Sequence, residues 1–508
     1  MLGSSSVTRL ALAGHLHPRW LGRLVGLRAL YLTDCRRLED LRMLSTLVGL
    51  KTLQLGGCNW LRDLRPLSAL VGLLTLQLRG RFDLRSDWLS GIHLAMQPLT
   101  SLVSLTTLGI TGCSELSDAQ LRPLSTLVGL TTLDLSYCTQ LGDVSPLSSL
   151  VNLHTLDLSF CNQLWNVSPL SSLVSLRTLD LCHCKQLTDT RGLDSLSDLR
   201  TLKLSQCSLL TDVPALSSLV NLHTLDLSFC TQLSNLRGLD SLFGLRTLNL
   251  ENTDLNNVSG LDSLISLHTL NLRNTRLSEV RGLESLFELH TLSLSGCSNL
   301  RDVRALSSLV GLRTLEMSGC ERLADIESLS SLVGLHTLDL STCPKLTPSD
   351  VDSLSSFVGL HKLRLSHCFH LRDTQALSSL VGLRTLDLSN CRKLSDVESL
   401  SSLADLRTLN LSYCEHLSDV SPLAALANLR SLDLCHIASL RDVSPLSSLI
   451  RLRKLNLRNC WLLRDVAGLA SLIGLRSLDL SHCTLLSDVQ ALSSLVGLKL
   501  NLSGCKRL

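Results

Sequence analysis

Residues 130–152 read LTTLDLSYCTQLGDVSPLSSLVN, and residues 153–175 read LHTLDLSFCNQLWNVSPLSSLVS. Aligned on the first Leu, the pattern L-x-x-L-x-L-x-x-C-x-x-L recurs in 21 copies, from Leu27 to a last copy counted from Leu498. The usual period is 23 residues, and self-similarity at such a period marks a stack of identical units rather than several independent domains. Of the 19 cysteines, 17 stand at position 9 of the unit, and Cys182 and Cys435 stand at position 7.

The spacing inside one unit predicts its local structure. Positions 4 and 6, such as Leu133 and Leu135, alternate along a short inward-facing strand. Leu141 and Val144 fill the turn that follows. Leu147 and Leu150 recur three apart, the spacing of a 3₁₀ segment. Position 14 is a short acid or amide in most copies (Asp143, Asn166, Asp189, Asp212, Asn235), suited to accept turn N–H groups. Ser-Pro pairs such as Ser145-Pro146 and Ser168-Pro169 read as an N-cap followed by the first helical residue. This unit resembles a leucine-rich repeat. The resemblance implies an α/β solenoid, a horseshoe with a continuous parallel sheet on its concave side and short 3₁₀ or α segments on its convex side.

Departures from the period test that reading. The copies from Leu245 and Leu267 carry Thr253 and Thr275 in place of the cysteine and shorten to 22 residues. Losing the thiol together with one loop residue makes the thiol part of the loop's packing. Residues 79–104 are irregular, and RFDLRSDWLSGIHLAMQP within them predicts a bulge or a longer helix. The copies from Leu105 and Leu335 run to 25 residues, and Pro348 with Asp350 predicts a longer helix start in the second. Residues 1–26 read as a degenerate first repeat or cap, with Leu10 and Leu12 on its strand, and residues 27–508 as the solenoid proper. The last copy is cut short at Leu508 without a polar cap, so a fragment, or a partner at that end, is expected.

Bulk properties narrow the function. A net charge of +3 and 3% aromatic residues ask for neither a polyanion nor an aromatic core. No apolar run is long enough to span a bilayer. The N-terminal stretch is interrupted by Arg9, Gly14, His15 and His17 and does not read as a secretory signal. An odd number of evenly spread cysteines fits a reducing compartment, with the cytoplasm as the expected location and the nucleus as the alternative. Position-9 thiols are expected to be reduced, inward, and weak S–H donors to loop carbonyls. Cys182-His183-Cys184 is a local Cys/His cluster and a weak zinc signal. No phosphate-binding glycine loop or metalloprotease motif occurs, and repeated Ser, His and Asp do not define a triad. No enzyme activity, cofactor, metal or small-molecule substrate is expected.

Recognition is left to the concave side, where positions 2, 3, 5, 7 and 8 are expected to point. Position 2 is mostly Arg, Lys or His, and position 5 is often Asp, giving a basic stripe beside an acidic one, with Thr and Ser hydroxyl ladders at positions 3 and 7. Two readings stand: the stripes keep the sheet soluble and stabilise each other, or they suit a bipolar protein partner. Position 8 varies, and Tyr137, Phe160, His183, Phe229 and Tyr413 fall there. Either this row contacts a partner or it covers the loop. Candidate contacts are these five residues with Asp134, Asp157, Asp180 and Asp226. Basic clusters at His361, Lys362, Arg364, His367 and at Arg453, Lys454, Arg458 lack the accompanying signature of nucleic-acid binding, so a protein is the expected partner.

Finer resemblances follow from particular strings. The cysteine pattern resembles the repeats of F-box proteins, and Asp143 to Leu150 (DVSPLSSL) resembles bacterial internalins. LRTLDLSNCRKLSDVESLSSL, residues 383–403, resembles the large leucine-rich repeat family of trypanosomes, some of whose members are described as adenylate cyclase regulators. That resemblance spans 27–508 and implies a protein-binding scaffold. Two further roles come from the resemblances, a regulatory subunit of a signalling enzyme such as adenylate cyclase and an internalin-like surface or secreted adhesin. The zinc-binding module carried by the regulator-like relatives has no Cys/His set before Cys35.

Overall fold

A computed structural model of the chain describes residues 7–14, 19–35, 41–57, 63–80 and 96–508. Two units make up the molecule, Met1–Asp254 and Leu255–Leu508. Among the described residues the first carries eleven strands, from Arg9–Ala13 to Thr247–Asn249, and the second carries eleven, from Thr269–Asn271 to Lys499–Asn501. Inside each unit successive strands pair in parallel, in chain order, with equivalent repeat positions opposite one another; Leu133 faces Leu156, which faces Leu179. Between strands the chain makes a loop and, in most repeats, a 3₁₀ turn. This is the leucine-rich repeat solenoid that the spacing predicts.

The interior is a column of aliphatic side chains. In the repeat from Leu153, the residues Leu153, Leu156, Leu158, Cys161, Leu164, Val167, Leu170 and Leu173 are each at most 1% exposed. Burial of one such Leu contributes about 1.5–3 kcal/mol, so each repeat is held chiefly by its neighbours above and below. The position-9 thiols behave as expected. Cys161 donates S–H to the Leu135 carbonyl at 3.5 Å, and Cys207 donates to Leu181 at 3.3 Å, each reaching position 6 of the preceding repeat. In the two short repeats Thr253 and Thr275 turn back instead. Their hydroxyls donate to Leu250 at 2.7 Å and to Leu272 at 2.8 Å, carbonyls of their own repeat.

Two Asx turns steer the chain around many of the coils. At position 14, Asp143 Oδ1 accepts the Ser145 N–H at 2.8 Å, and Asp442 does the same for Ser444. The serine of the Ser-Pro pair is therefore not the N-cap. Ser145 is the first residue of the 3₁₀ turn Ser145–Ser149, and the acid two residues earlier takes its N–H. At position 5, Asp134 Oδ1 accepts the Ser136 N–H at 3.0 Å. Every strand with Asp or Asn at that position stops at three residues; the five strands that run to five residues carry Ala11, Tyr31, Gln54, Gln77 and Gly109 there. Because the strand ends at position 5, alternation no longer governs position 7. The serines there do not form the open hydroxyl ladder expected: Ser136, Ser159, Ser228, Ser389 and Ser481 are buried.

The two 25-residue repeats each hold a short α-helix, Asp118–Leu121 and Pro348–Asp352. The second helix starts at Pro348, as Pro348 and Asp350 predict, and Thr347 and Asp350 form a reciprocal capping box, with the Thr347 N–H donating to Asp350 Oδ2 at 2.7 Å. The irregular connection after Arg79 falls largely on residues 81–95, outside the described residues, but Thr75 still faces Thr107 across it. The last frame needs correction. Lys499 faces Ser477 and Leu500 faces Leu478, so the repeat is counted from Gly497, one residue before Leu498. One residue is missing from the preceding turn, and strand register, not the leucine at 498, sets the frame.

Position 8 is left-handed throughout. Thr342 occupies it with φ of 56° although its branched Cβ makes that region costly. Relief of about 1–2 kcal/mol of strain should outweigh the 0.5–1 kcal/mol of extra chain entropy that glycine carries. Thr342→Gly is thus expected to raise stability by up to about 1 kcal/mol. A denaturant midpoint that fell would show that the threonine is not strained.

Candidate functional site

The candidate site grows out of that left-handed position. Tyr137, Phe160, His183, Phe229 and Tyr413 have φ of 61°, 61°, 62°, 59° and 61°. This geometry explains why Asn252, Asn274, Gly296, Gly319, Asn390 and Asn459 recur at equivalent places, since Asn and Gly tolerate it. Each position-8 N–H donates to the position-7 carbonyl of the next repeat: Tyr137 to Ser159 at 2.8 Å, Phe160 to Cys182 at 2.7 Å, His183 to Ser205 at 2.7 Å. The side chains therefore stand in register. The Tyr137 and Phe160 rings stack with centroids 4.1 Å apart, and Phe160 stacks on His183 at 3.9 Å. Tyr137 is 51% exposed, so the stack is a surface feature.

Phe229 is exposed too but lies two repeats beyond His183, past Gln206, and makes no ring contact among the described residues. Tyr413 belongs to the second unit. It stacks on His436 at 4.2 Å, and His436 meets Trp461 edge-on at 6.3 Å. Burial, then the nearby Lys185, lowers the His183 pKa, so its ring is neutral at physiological pH and stacks without a charge.

Beside the rings runs a row of carboxylates. Asp134 faces Asp157, Asp157 faces Asp180, and Asp180 faces Lys203, which in turn faces Asp226. Each aspartate has one oxygen committed to its own turn, accepting from Ser136, Ser159, Cys182 and Ser228. The other oxygen of Asp180 takes Lys203 Nζ at 3.1 Å. These acids are therefore framework as well as surface. The expected mutual support of basic and acidic stripes is absent: no position-2 Arg, Lys or His forms an ion pair among the described residues. Three residues of strand separate the rows, and the turns pin the acids away from them.

Asp157 carries the electrostatic cost. Burial pushes its carboxyl above the ordinary 3.8, aided by Asp180 and Asp134 and opposed by the Ser159 N–H. The folded chain thus holds that proton more tightly than the unfolded one, and stability falls as pH rises from 3.8 through the raised value. Asp157→Asn keeps the turn acceptor and removes the charge. It is expected to stabilise by about 0.5–1 kcal/mol at neutral pH, with the gain gone below pH ~3, as read from denaturation midpoints. A gain independent of pH would contradict the charge argument.

Cys182, His183 and Cys184 do not converge. Cys184 points into the core, donating to the Leu158 carbonyl at 3.4 Å, while His183 stacks on the surface. No group of His, Cys, Asp and Glu among the described residues is arranged to hold a metal ion. Burial pushes the Cys161 and Cys230 thiols up to about 12, far from nucleophile range. What the arrangement offers is adhesion: stacked rings for a flat apolar or cationic group, and carboxylates for a basic one.

One surface feature escaped the sequence reading. The residue two before the first Leu of the next repeat is exposed and apolar in most repeats, as at Val48, Val103, Phe243, Ile265, Phe287 and Ile473. The signal was the recurring L-V-G-L, whose Val falls outside the three-residue spacing of the inward leucines.

The family model described as leucine-rich repeat region matches residues 206–444, and the model for two-copy leucine-rich repeats matches 128–172, 151–195 and 450–494. The chain belongs to the leucine-rich repeat proteins. Proteins of this family generally mediate protein–protein interaction, are typically non-enzymatic, and no catalytic family is indicated. Among solved structures, a leucine-rich repeat protein of Leptospira interrogans is similar at 20% identity, covering 80% of this chain and 91% of its own, with a TM-score of 0.55. An internalin of Listeria monocytogenes is similar at 18% identity, covering 80% of this chain and 88% of its own, with a TM-score of 0.48. A search of curated proteins found no match. No helix among the described residues is long and apolar enough to cross a membrane.

Proposed function

We propose that this chain is a non-enzymatic scaffold that holds a protein partner on the open sheet face of its first unit. The contact residues in this reading are Tyr137, Phe160 and His183, with Asp134, Asp157 and Asp180 beside them. One observation carries it: two bulky aromatic residues are kept stacked, Tyr137 exposed and Phe160 half-buried, at left-handed positions that favour Asn or Gly. Strain retained where the fold does not need it argues for function. The chemistry selects a partner segment with basic side chains for the carboxylates and a flat or cationic group for the rings. Phe229, Asp226 and Tyr413 lie outside this patch. The cytoplasm is the proposed location, a reading supported by core cysteines such as Cys161, Cys184 and Cys207, which are free thiols.

The test is affinity capture with the intact chain as bait, set beside the Tyr137→Asn/Phe160→Asn variant. Specific partners recovered by the first and lost by the second support the reading. Identical recovery by both would sink it. The first partner to assay is an adenylate cyclase, because residues 383–403 resemble the trypanosome family; cyclase activity in the captured fraction would make the chain a regulatory subunit.

A further inference from the structure

The second unit carries a surface of different chemistry. Arg384, Arg407, Arg430, Arg453 and Arg476 occupy position 2 of five successive repeats. Each is joined to the next through its backbone: Arg407 N–H donates to the Arg384 carbonyl at 2.9 Å, Arg430 to Arg407 at 2.8 Å, Arg453 to Arg430 at 2.8 Å, and Arg476 to Arg453 at 2.9 Å. The strands beside them pair in register from Thr385 to Ser477. Five guanidinium groups therefore stem from a single line, about 4.8 Å apart at the backbone. All five side chains are exposed, and none makes an ion pair or side-chain hydrogen bond with a described residue. The nearest acids on the same strands pair with none of the five arginines. Asp387, Asp433 and Asp479 accept the N–H groups of Ser389, Cys435 and Ser481. Arg451 and Lys454 add charge of the same sign, and Asp405 is the acid on the same corner.

A second row runs alongside, three residues earlier in each repeat: Val381, Ala404, Ala427, Ile450 and Ile473. Val381, Ile450 and Ile473 are 57%, 60% and 80% exposed. A line of unpaired cations beside a line of aliphatic side chains has a specific complement. On an α-helix, residues three and four apart are about 5–6 Å from each other, close to the arginine spacing. An acidic stripe on such a helix can therefore meet successive arginines while an adjacent apolar stripe covers the aliphatic row. A phosphodiester backbone would satisfy the arginines but leave the aliphatic row bare, and no aromatic residue stands in that row to stack a base.

We propose that this corner of the second unit binds an amphipathic helix with an acidic face, lying along the repeat axis. Five arginines span roughly 19 Å, which is about 13 residues of helix. The site is independent of the ring-and-carboxylate patch in the first unit.

The test uses the full chain and a fluorescent synthetic helix of that length, with Glu at i, i+4, i+7 and i+11 flanked by a Leu stripe. Three controls accompany it: a scrambled peptide of identical composition, a single-stranded RNA of twenty nucleotides, and vesicles of mixed phosphatidylserine and phosphatidylcholine. The ordered helix should bind on the order of tenfold more tightly than the scrambled peptide. Arg407→Glu/Arg430→Glu/Arg453→Glu should abolish binding, and Ile450→Ser/Ile473→Ser should reduce ordered-helix binding to the scrambled level. Equal binding of the two peptides, binding of RNA or vesicles at least as tight as that of the ordered helix, or indifference to the arginine changes would each overturn the proposal. Circular dichroism checks that the variants fold; if the charge reversal does not, the Arg→Gln triple takes its place with the same expected loss.

Discussion

The Tyr137→Asn/Phe160→Asn variant is expected to bind its partner roughly 30- to 1,000-fold more weakly while its unfolding midpoint barely moves. The two halves of that expectation have separate physical grounds. Aromatic anchors at an interface commonly cost about 2 kcal/mol or more when truncated, and two stacked rings are lost here. Stability is a balance of smaller terms. Removing the ring stack forfeits about 0.5–1.5 kcal/mol. Replacing two left-handed aromatics by Asn, which tolerates that backbone, returns a similar amount. Asn already stands at the equivalent positions 252, 274, 390 and 459, so the fold accepts it. Titration of partner binding and a thermal melt on the same preparation decide the matter. A collapse in stability would make the rings structural and remove the proposed site.

Four residues away the expectation inverts. Leu156→Ala should cost about 2–5 kcal/mol, because Leu156 is fully buried and faces Leu133 and Leu179 in the adjoining repeats. Strand register holds those neighbours in place, so the cavity has little room to close. A solenoid is coupled through nearest neighbours, and the damage should show as proteolytic opening of the flanking repeats as well as a lower denaturant midpoint. A midpoint unchanged by Leu156→Ala would mean that the leucine column does not hold the coil together.

Much of the fold was legible because apolar spacing dictates it. Leu133, Leu135, Leu147 and Leu150 had to point inward for any coil to close, and the thiol of Cys138 had to follow them. The roles of Asp143 and of Asp350 were also readable, since short acids satisfy turn N–H groups locally. The site was less legible, for three reasons rooted in backbone geometry. Ser136 is buried because the strand ends before it, which a period-two argument does not foresee. Asp134 and its neighbours looked like surface charges but are also turn acceptors. The stacking of Tyr137, Phe160 and His183 depended on a left-handed residue that the alternation of Asn, Gly and His at one position could have announced.

The evenly placed thiols have a consequence of their own. From Cys138 to Cys483 the position-9 sulfurs are enclosed by their repeats, kept protonated by that burial, and hydrogen-bonded to the coil before, as Cys161 and Cys207 are. Each can meet an alkylating reagent only when that coil breathes. Mass spectrometry after timed exposure would therefore register how often each turn of the spring comes undone, with one built-in clock for nearly every turn and no foreign probe attached.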